Sequence, residues 1–313
     1  MHTENLENNA FESERFSGVL APVVTPFDAQ LNPDRQRLEQ HCRWLLRNNV
    51  GLAVFGTNSE ANSLSTDEKL DLLNYLVDAG IDQNKLMPGT GCCALTDSVR
   101  LTAEAVKLGC KGVLMLPPFY YKGVSDEGLY ASYSEIIERV GSSKLKLYLY
   151  HIPPIAQIPL SISLIDRLVK QYPGTVVGVK DSSGDWDNTK KLLDGGWNNF
   201  RVFCGSESFL LENMRNGGAG CISATANVNP AAIHNLYKNY DTKDAEQLQA
   251  QLDQVRQLFQ QFPMISALKS TIASYGEDNN WLRVRPPLLA LENEAKSELV
   301  TNLKKCGFKM PNL

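Results

Sequence analysis

Short apolar runs alternate along this chain with longer stretches whose apolar residues recur at helical spacing. The first run, Gly18 to Val24, closes at Thr25-Pro26. Asn32-Pro33 reads as a helix start, ahead of an apolar stripe at Leu38, Cys42, Leu45 and Leu46. The second run, Val50 to Phe55, ends at Gly56-Thr57-Asn58-Ser59-Glu60. A capping box, Ser65 to Glu68, then opens a helix carrying Leu70, Leu73, Leu76 and Val77. The alternation continues through runs at 86–89, 112–116, 145–150, 175–180, 200–204 and 220–223, each leading to a further helical pattern.

Apolar runs without polar alternation are strands buried on both faces. Eight strand–helix units within about 220 residues have the count and size of a (β/α)8 barrel, an α/β fold. A doubly wound sheet is the alternative, but no GxGxxG follows the first strand. Beyond Asp241 the strand pattern stops. Leu248, Leu252, Val255, Phe259 and Phe262 form one helical stripe, and further helices are expected over 288–291 and 299–303. The expected organisation is a loose tail over 1–16, the barrel over 17–240, and a C-terminal helical region over 241–313 serving as an oligomer or lid surface.

Composition narrows the function classes. The net charge is −4 with no long basic run, which argues against a nucleic-acid partner. No apolar run approaches the length of a membrane span, and the polar, acidic N-terminus has no signal-peptide pattern, so a cytoplasmic protein is expected. The seven cysteines and four histidines show no zinc or HExxH spacing, so no metal is expected.

In a barrel of this kind the chemistry sits where strands end. The polar residues there are Thr57, Asn58, Tyr120, Tyr150, Lys180, Ser206, Glu207 and Asn227. Lys180 closes the run Val176-Val177-Gly178-Val179, and turn residues Asp181 to Gly184 follow. It reads either as a snorkelling lysine or partner of Asp181, or as a partly desolvated amine able to condense with a carbonyl. The Gly56–Ser59 turn is either an ordinary loop or a cradle of N–H groups for a carboxylate. Tyr150 is either packing or a proton carrier beside the amine. Tyr120 and Tyr121 read as strand-end polar groups or as exposed aromatics at an interface.

Together these stretches resemble the dihydrodipicolinate synthase / N-acetylneuraminate lyase family of class I aldolases. Pro22-Val23-Val24-Thr25-Pro26-Phe27 is similar to its opening motif, and Gly56-Thr57-Asn58-Ser59-Glu60 to its GTTGE or GSTGE. Pro118-Phe119-Tyr120-Tyr121 is similar to its PYYN or PFYY, Tyr150-His151-Ile152-Pro153 to its YNxP, and Gly178-Val179-Lys180 to its GIK. Gly220-Cys221-Ile222-Ser223 is similar to its eighth strand. The resemblance implies that Lys180 forms a Schiff base with pyruvate or a related 2-oxo acid, without a cofactor. It implies that Tyr150 and Thr57 pass protons, and that Tyr120 or Tyr121 of a neighbouring subunit completes the relay. Thr57 and Asn58 would hold the 2-oxo acid's carboxylate, with Ile222, Glu207 and Ser182 as further substrate contacts. An aldehyde as second substrate and a homo-oligomer, dimer or tetramer, are implied as well.

The departures bear on specificity. Asn58, Ser59 and His151 stand where the family usually has Thr, Gly and Asn. Ile155 stands where the synthase has the arginine that binds the aldehyde's carboxylate, so an apolar entrance is expected. Only Glu207 remains of the lyase's sugar-contacting acidic pair, Ser208 standing in the other place. An aldolase or dehydratase acting on a 2-oxo-3-deoxy sugar acid is therefore a second expectation. A non-catalytic 2-oxo-acid-binding regulator on the same barrel is a third.

Overall fold

A computed structural model describes residues 15–313. Its strands are β1 (Gly18–Ala21), β2 (Gly51–Leu52), β3 (Val113–Met115), β4 (Leu147–His151), β5 (Val176–Asp181), β6 (Arg201–Cys204) and β7 (Gly220–Ile222). They are parallel and ordered β2-β1-β7-β6-β5-β4-β3. Residues 86–89 close the ring: Leu52 bridges Leu86 on one side, and Gly89 bridges Leu114 on the other. This segment is thin because Pro88 accepts from the Leu114 N–H but has no N–H to return, which removes a ladder bond. The result is the eight-segment α/β barrel that the apolar runs predict.

Leu20, Ala53, Met87, Leu114, Tyr148, Phe203 and Ile222 fill the barrel interior. The Tyr148 ring is the bulkiest of them, and Gly178 beside it makes room. A Cβ on Gly178 would lie 2.6 Å from the Tyr148 ring and 2.5 Å from the Arg201 carbonyl oxygen. The Tyr148 hydroxyl accepts from the Phe16 N–H at 2.8 Å. Phe16 is therefore buried packing rather than loose tail, whereas residues 1–14 of the expected tail lie outside the described residues.

Most helices start where the sequence places them, with two corrections. The first runs over Arg35–Arg47 and is capped by Asp34, whose carboxylate accepts from the Arg37 N–H, not by Asn32. No helix covers 288–291: the chain there follows Pro286-Pro287 as a turn and irregular coil, and Leu289 is exposed. Two successive prolines lack the N–H groups that a helix needs. None of the described helices is long and apolar enough to cross a membrane.

The helices Ala245–Gln260 and Met264–Tyr275 lie over the barrel mouth. The first packs on the turn Glu207–Phe209 after β6, the second on the turn Thr57–Ser59 after β2. Lys269 reaches from the second helix to Glu60, and both side chains are fully buried. The Lys269 ammonium also donates to the Arg283 carbonyl at 2.7 Å, while the second Glu60 oxygen accepts from the Arg285 N–H at 3.0 Å. Burial pushes the Lys269 pKa down to about 8 despite Glu60. Removing one member of such a pair strands the other charge in the interior. Lys269→Met is expected to cost on the order of 3–5 kcal/mol. Lys269→Met with Glu60→Gln should cost clearly less, as read by urea unfolding; equal losses would mean that the pair carries no special weight.

Candidate active site

Strand register brings the two central groups together. Tyr150 on β4 is paired with Lys180 on β5, so both side chains leave the same face of the sheet. This depends on a bulge. Leu147 pairs with Val176, but Tyr148 pairs with Gly178, leaving Val177 as an extra residue. Without that shift Lys180 would pair with His151 and point away from the barrel interior. As folded, the Lys180 ammonium donates to the Tyr150 hydroxyl at 3.1 Å and lies 4.2 Å from the ring centroid. The Tyr150 hydroxyl is also 3.2 Å from Thr57 Oγ1. Lys180 and Tyr150 are only 3% and 2% exposed, so this contact is shielded from bulk water.

Burial opposes ionisation of the Tyr150 phenol. The Lys180 charge and hydrogen bonds from Thr57, Lys180 and Ser182 outweigh it, leaving the phenol below its ordinary pKa. Asp181 is not the partner of Lys180. It alternates to the other face, where its carboxylate accepts from the Ser183 N–H (2.9 Å), Asn188 (3.0 Å) and Thr189 (2.7 Å). Those bonds shape the turn that follows the lysine.

Thr57 sits on a tightly held loop. Phe55 and Glu60, one at each side of it, both have positive φ (61° and 56°). Inside, Gly56 N–H donates to Ser59 Oγ at 3.1 Å, and Thr25 Oγ1 donates to the Ser59 carbonyl at 2.7 Å. Ser59 is thus a buried staple for the turn. His151 serves the neighbouring loop: its Nδ1 accepts from the Leu160 N–H at 3.0 Å. Burial lowers its pKa although Asp181 opposes this, so it is a neutral anchor for residues 152–160.

These residues open onto a cleft of about 400 Å³. Thr57, Asn58, Tyr150, Lys180 and Ser182 line it, as expected from the sequence, together with Ser206 and Ile155. Other expected residues lie elsewhere. Ile222 is fully buried in the barrel interior and does not line the cleft. Glu207 is also buried: its carboxylate accepts from the Ser223 and Thr225 hydroxyls and from Arg256 Nη1 at 3.3 Å. Those internal partners occupy it, so it supports the wall rather than presenting oxygens to the cleft. Asn227 is buried with its amide on the Pro22 and Ala224 carbonyls. Tyr120 and Tyr121 are 73% and 74% exposed, stacked edge to face, and outside the cleft lining.

The sequence reading missed Arg256, Gln260 and Met264, cleft-lining residues from the C-terminal helices. The entrance is therefore not without a cation. A signal was present: Gln249, Asp253, Arg256 and Gln260 recur at spacings of four, three and four, one position after the apolar stripe. Gln249 holds this face down, donating to the Glu207 carbonyl and to Asp253 at 3.0 Å each.

Comparison with known proteins agrees with the geometry. A profile of the dihydrodipicolinate synthetase family matches residues 15–306. A protein of Chloroflexus aurantiacus described as an uncharacterized DapA-like lyase is 30% identical over 90% of this chain and 94% of its own length. The crystal structure of dihydrodipicolinate synthase from Agrobacterium tumefaciens superposes with a TM-score of 0.86 at 28% identity, covering 92% of this chain and 99% of that one. YagE, a prophage protein of the same family from E. coli K12 solved in complex with pyruvate, gives a TM-score of 0.86 at 25% identity over 94% and 99%. With its barrel, its strand-end lysine and tyrosine, and a family match that spans nearly all of it, this chain belongs to the dihydrodipicolinate synthetase family of class I aldolases and lyases.

Proposed function

We propose that Lys180 forms an imine with pyruvate or a related 2-oxo acid and that the enzyme then makes or breaks a carbon–carbon bond to an aldehyde. The observation that carries this is the chain of contacts Thr57–Tyr150–Lys180, with spacings of 3.2 and 3.1 Å at the head of an open cleft. Such distances are those needed for proton transfer. The complex of YagE with pyruvate supports the choice of 2-oxo acid.

As a free amine, Lys180 attacks the ketone carbon; the C–N bond forms as the C=O π bond breaks, and one nitrogen proton passes through the Tyr150 hydroxyl to the carbonyl oxygen. Tyr150 supplies a second proton to that hydroxyl, the C–O bond breaks, and water leaves. The resulting iminium withdraws electrons, so the adjacent methyl carbon loses a proton to give an enamine. The enamine carbon attacks the aldehyde, whose oxygen is protonated, and hydrolysis of the new iminium returns product and free amine. Thr57 keeps the phenol in line between protonation steps. The carboxylate is held at the Thr57–Ser59 turn, whose own hydrogen bonds begin at the Ser59 N–H, donating to the Gly56 carbonyl, and leave out the N–H groups of Thr57 and Asn58.

Tyr120 or Tyr121 extends the relay from a second subunit. Both are too exposed to serve packing within one chain, and Lys122 next to them ties their loop to the Ala156 carbonyl at 2.8 Å. The assembly is then a homo-oligomer.

Borohydride reduction in the presence of pyruvate should leave a single stable adduct on Lys180, located by peptide mass. An adduct on another lysine, or none, contradicts the reading, and an adduct without turnover of any aldehyde favours a binding protein. Tyr150→Phe keeps the ring and its packing, so the melting temperature should hardly move while turnover falls by ~10²–10⁴-fold. Retention of near wild-type activity would remove Tyr150 from the relay.

A further inference from the structure

One charged side chain in the cleft has no part in imine formation. Arg256 enters from the helix Ala245–Gln260 and lines the same cleft as Lys180 and Thr57, with 14% of its side chain exposed. Its hydrogen bonds to Glu207 (3.3 Å) and Ser223 (3.4 Å) both leave from Nη1. Nε is buried and has no hydrogen-bond partner among the described residues. In a guanidinium, the Nε and Nη2 protons point along one edge, matched to the two oxygens of a carboxylate. Glu207 fixes the Nη1 corner, and the Nε–Nη2 edge is the one left unused. A buried donor without an acceptor is costly, and a small turn of the guanidinium towards the cleft would bring Nε, enclosed as the chain stands, onto a ligand oxygen.

The surroundings favour a single negative charge. Lys180 and Arg256 are the cations lining the cleft; the charge of the first, kept in the iminium, is matched by the carboxylate of the 2-oxo acid that it carries. Glu207 already opposes part of the Arg256 charge, so a phosphate dianion would meet a carboxylate behind the arginine, whereas a monoanion would not be over-compensated. Ser206, Ser208 and Gln260 stand along the same wall as neutral hydrogen-bond groups. Ile155, on the exposed lip, supplies no cation, as the sequence predicts.

We propose that Arg256 sets the choice of second substrate by gripping a carboxylate at the end remote from its aldehyde carbon. This rests on the Schiff-base reading of Lys180. A carboxylate grip carried by the C-terminal helix would replace the one absent at Ile155.

The test compares succinic semialdehyde, butanal and glyceraldehyde as partners of pyruvate. Wild type should favour succinic semialdehyde over butanal in kcat/KM by at least about tenfold, because a site built for a polar group rejects the analogue that lacks it. In Arg256→Met that ratio should collapse towards one, through KM for the charged aldehyde, and Arg256→Lys should restore part of it. Since Arg256→Met strands Glu207, the double variant Arg256→Met with Glu207→Gln provides a second reading of the same ratio. A wild-type preference for butanal or glyceraldehyde overturns the proposal, as does an unchanged ratio in folded variants. Borohydride trapping of pyruvate on the wild type separates the two levels. Without an adduct on Lys180 the Schiff-base reading fails and takes this proposal with it. An adduct without charge preference refutes only the role of Arg256.

Discussion

The contact between Lys180 and Tyr150 depends on a one-residue slip between two parallel strands. Val177 is the slip. It lets the Tyr150 phenol and the Lys180 amine leave the same face of the sheet, 3.1 Å apart, and sends Asp181 and His151 to the other face. On that face each meets a structural partner: Asp181 shapes its turn, and His151 holds the loop to Leu160. A side-chain period of two means that one residue of register decides which of these groups faces the cleft. Below the pair, Gly178 admits the Tyr148 ring, and Tyr148 with Phe203 forms the floor on which the amine stands. A stiff floor matters because an amine must reach its carbonyl within a few tenths of an ångström for proton transfer to follow.

The second constraint comes from outside the barrel. The helices beyond residue 240 hold the barrel mouth through buried polar contacts: Lys269 to Glu60, Arg256 to Glu207, and Gln249 to the Glu207 backbone. Each joins a C-terminal helix to a loop that follows a strand. Charges in such places are costly unless paired, so the loops have little freedom to move independently of the helices. The loop bearing Thr57 is thereby positioned from two sides, by Ser59 within and by Lys269 from above. The C-terminal region is part of the active-site construction as well as a covering layer.

Much of this was legible in the sequence because it rests on short-range pattern. Apolar runs mark buried strands, and polar residues at their ends mark the cleft, so Lys180, Tyr150, Thr57, Asn58 and Ser206 could be named from local context, and Ser182 from the family resemblance. Pro88 weakens one strand to a pair of bridges without hiding its place in the ring. What escaped was long-range or depended on orientation. Glu207 lies at a strand end, yet its side chain turns inward to Ser223 and Thr225, partners 16 and 18 residues away. Ile222 faces the barrel interior, a matter of alternation on a three-residue strand. Arg256 is 76 residues beyond Lys180, and only the polar stripe on its helix hinted that this face meets something other than the core. The run over 288–291 looked helical by composition, but the Pro286-Pro287 pair before it decided otherwise.

The proposed mechanism rests on the register-paired lysine as nucleophile and the Thr57 turn as carboxylate site. A crystal structure of the enzyme soaked with pyruvate tests both at once. Continuous density is expected from Lys180 Nζ to the ketone carbon, with the carboxylate on the N–H groups of Thr57 and Asn58 and the Tyr150 hydroxyl within hydrogen-bond reach of the new imine. Pyruvate bound without a covalent link, or linked to Lys180 with its carboxylate turned away from the Thr57 turn, would contradict it.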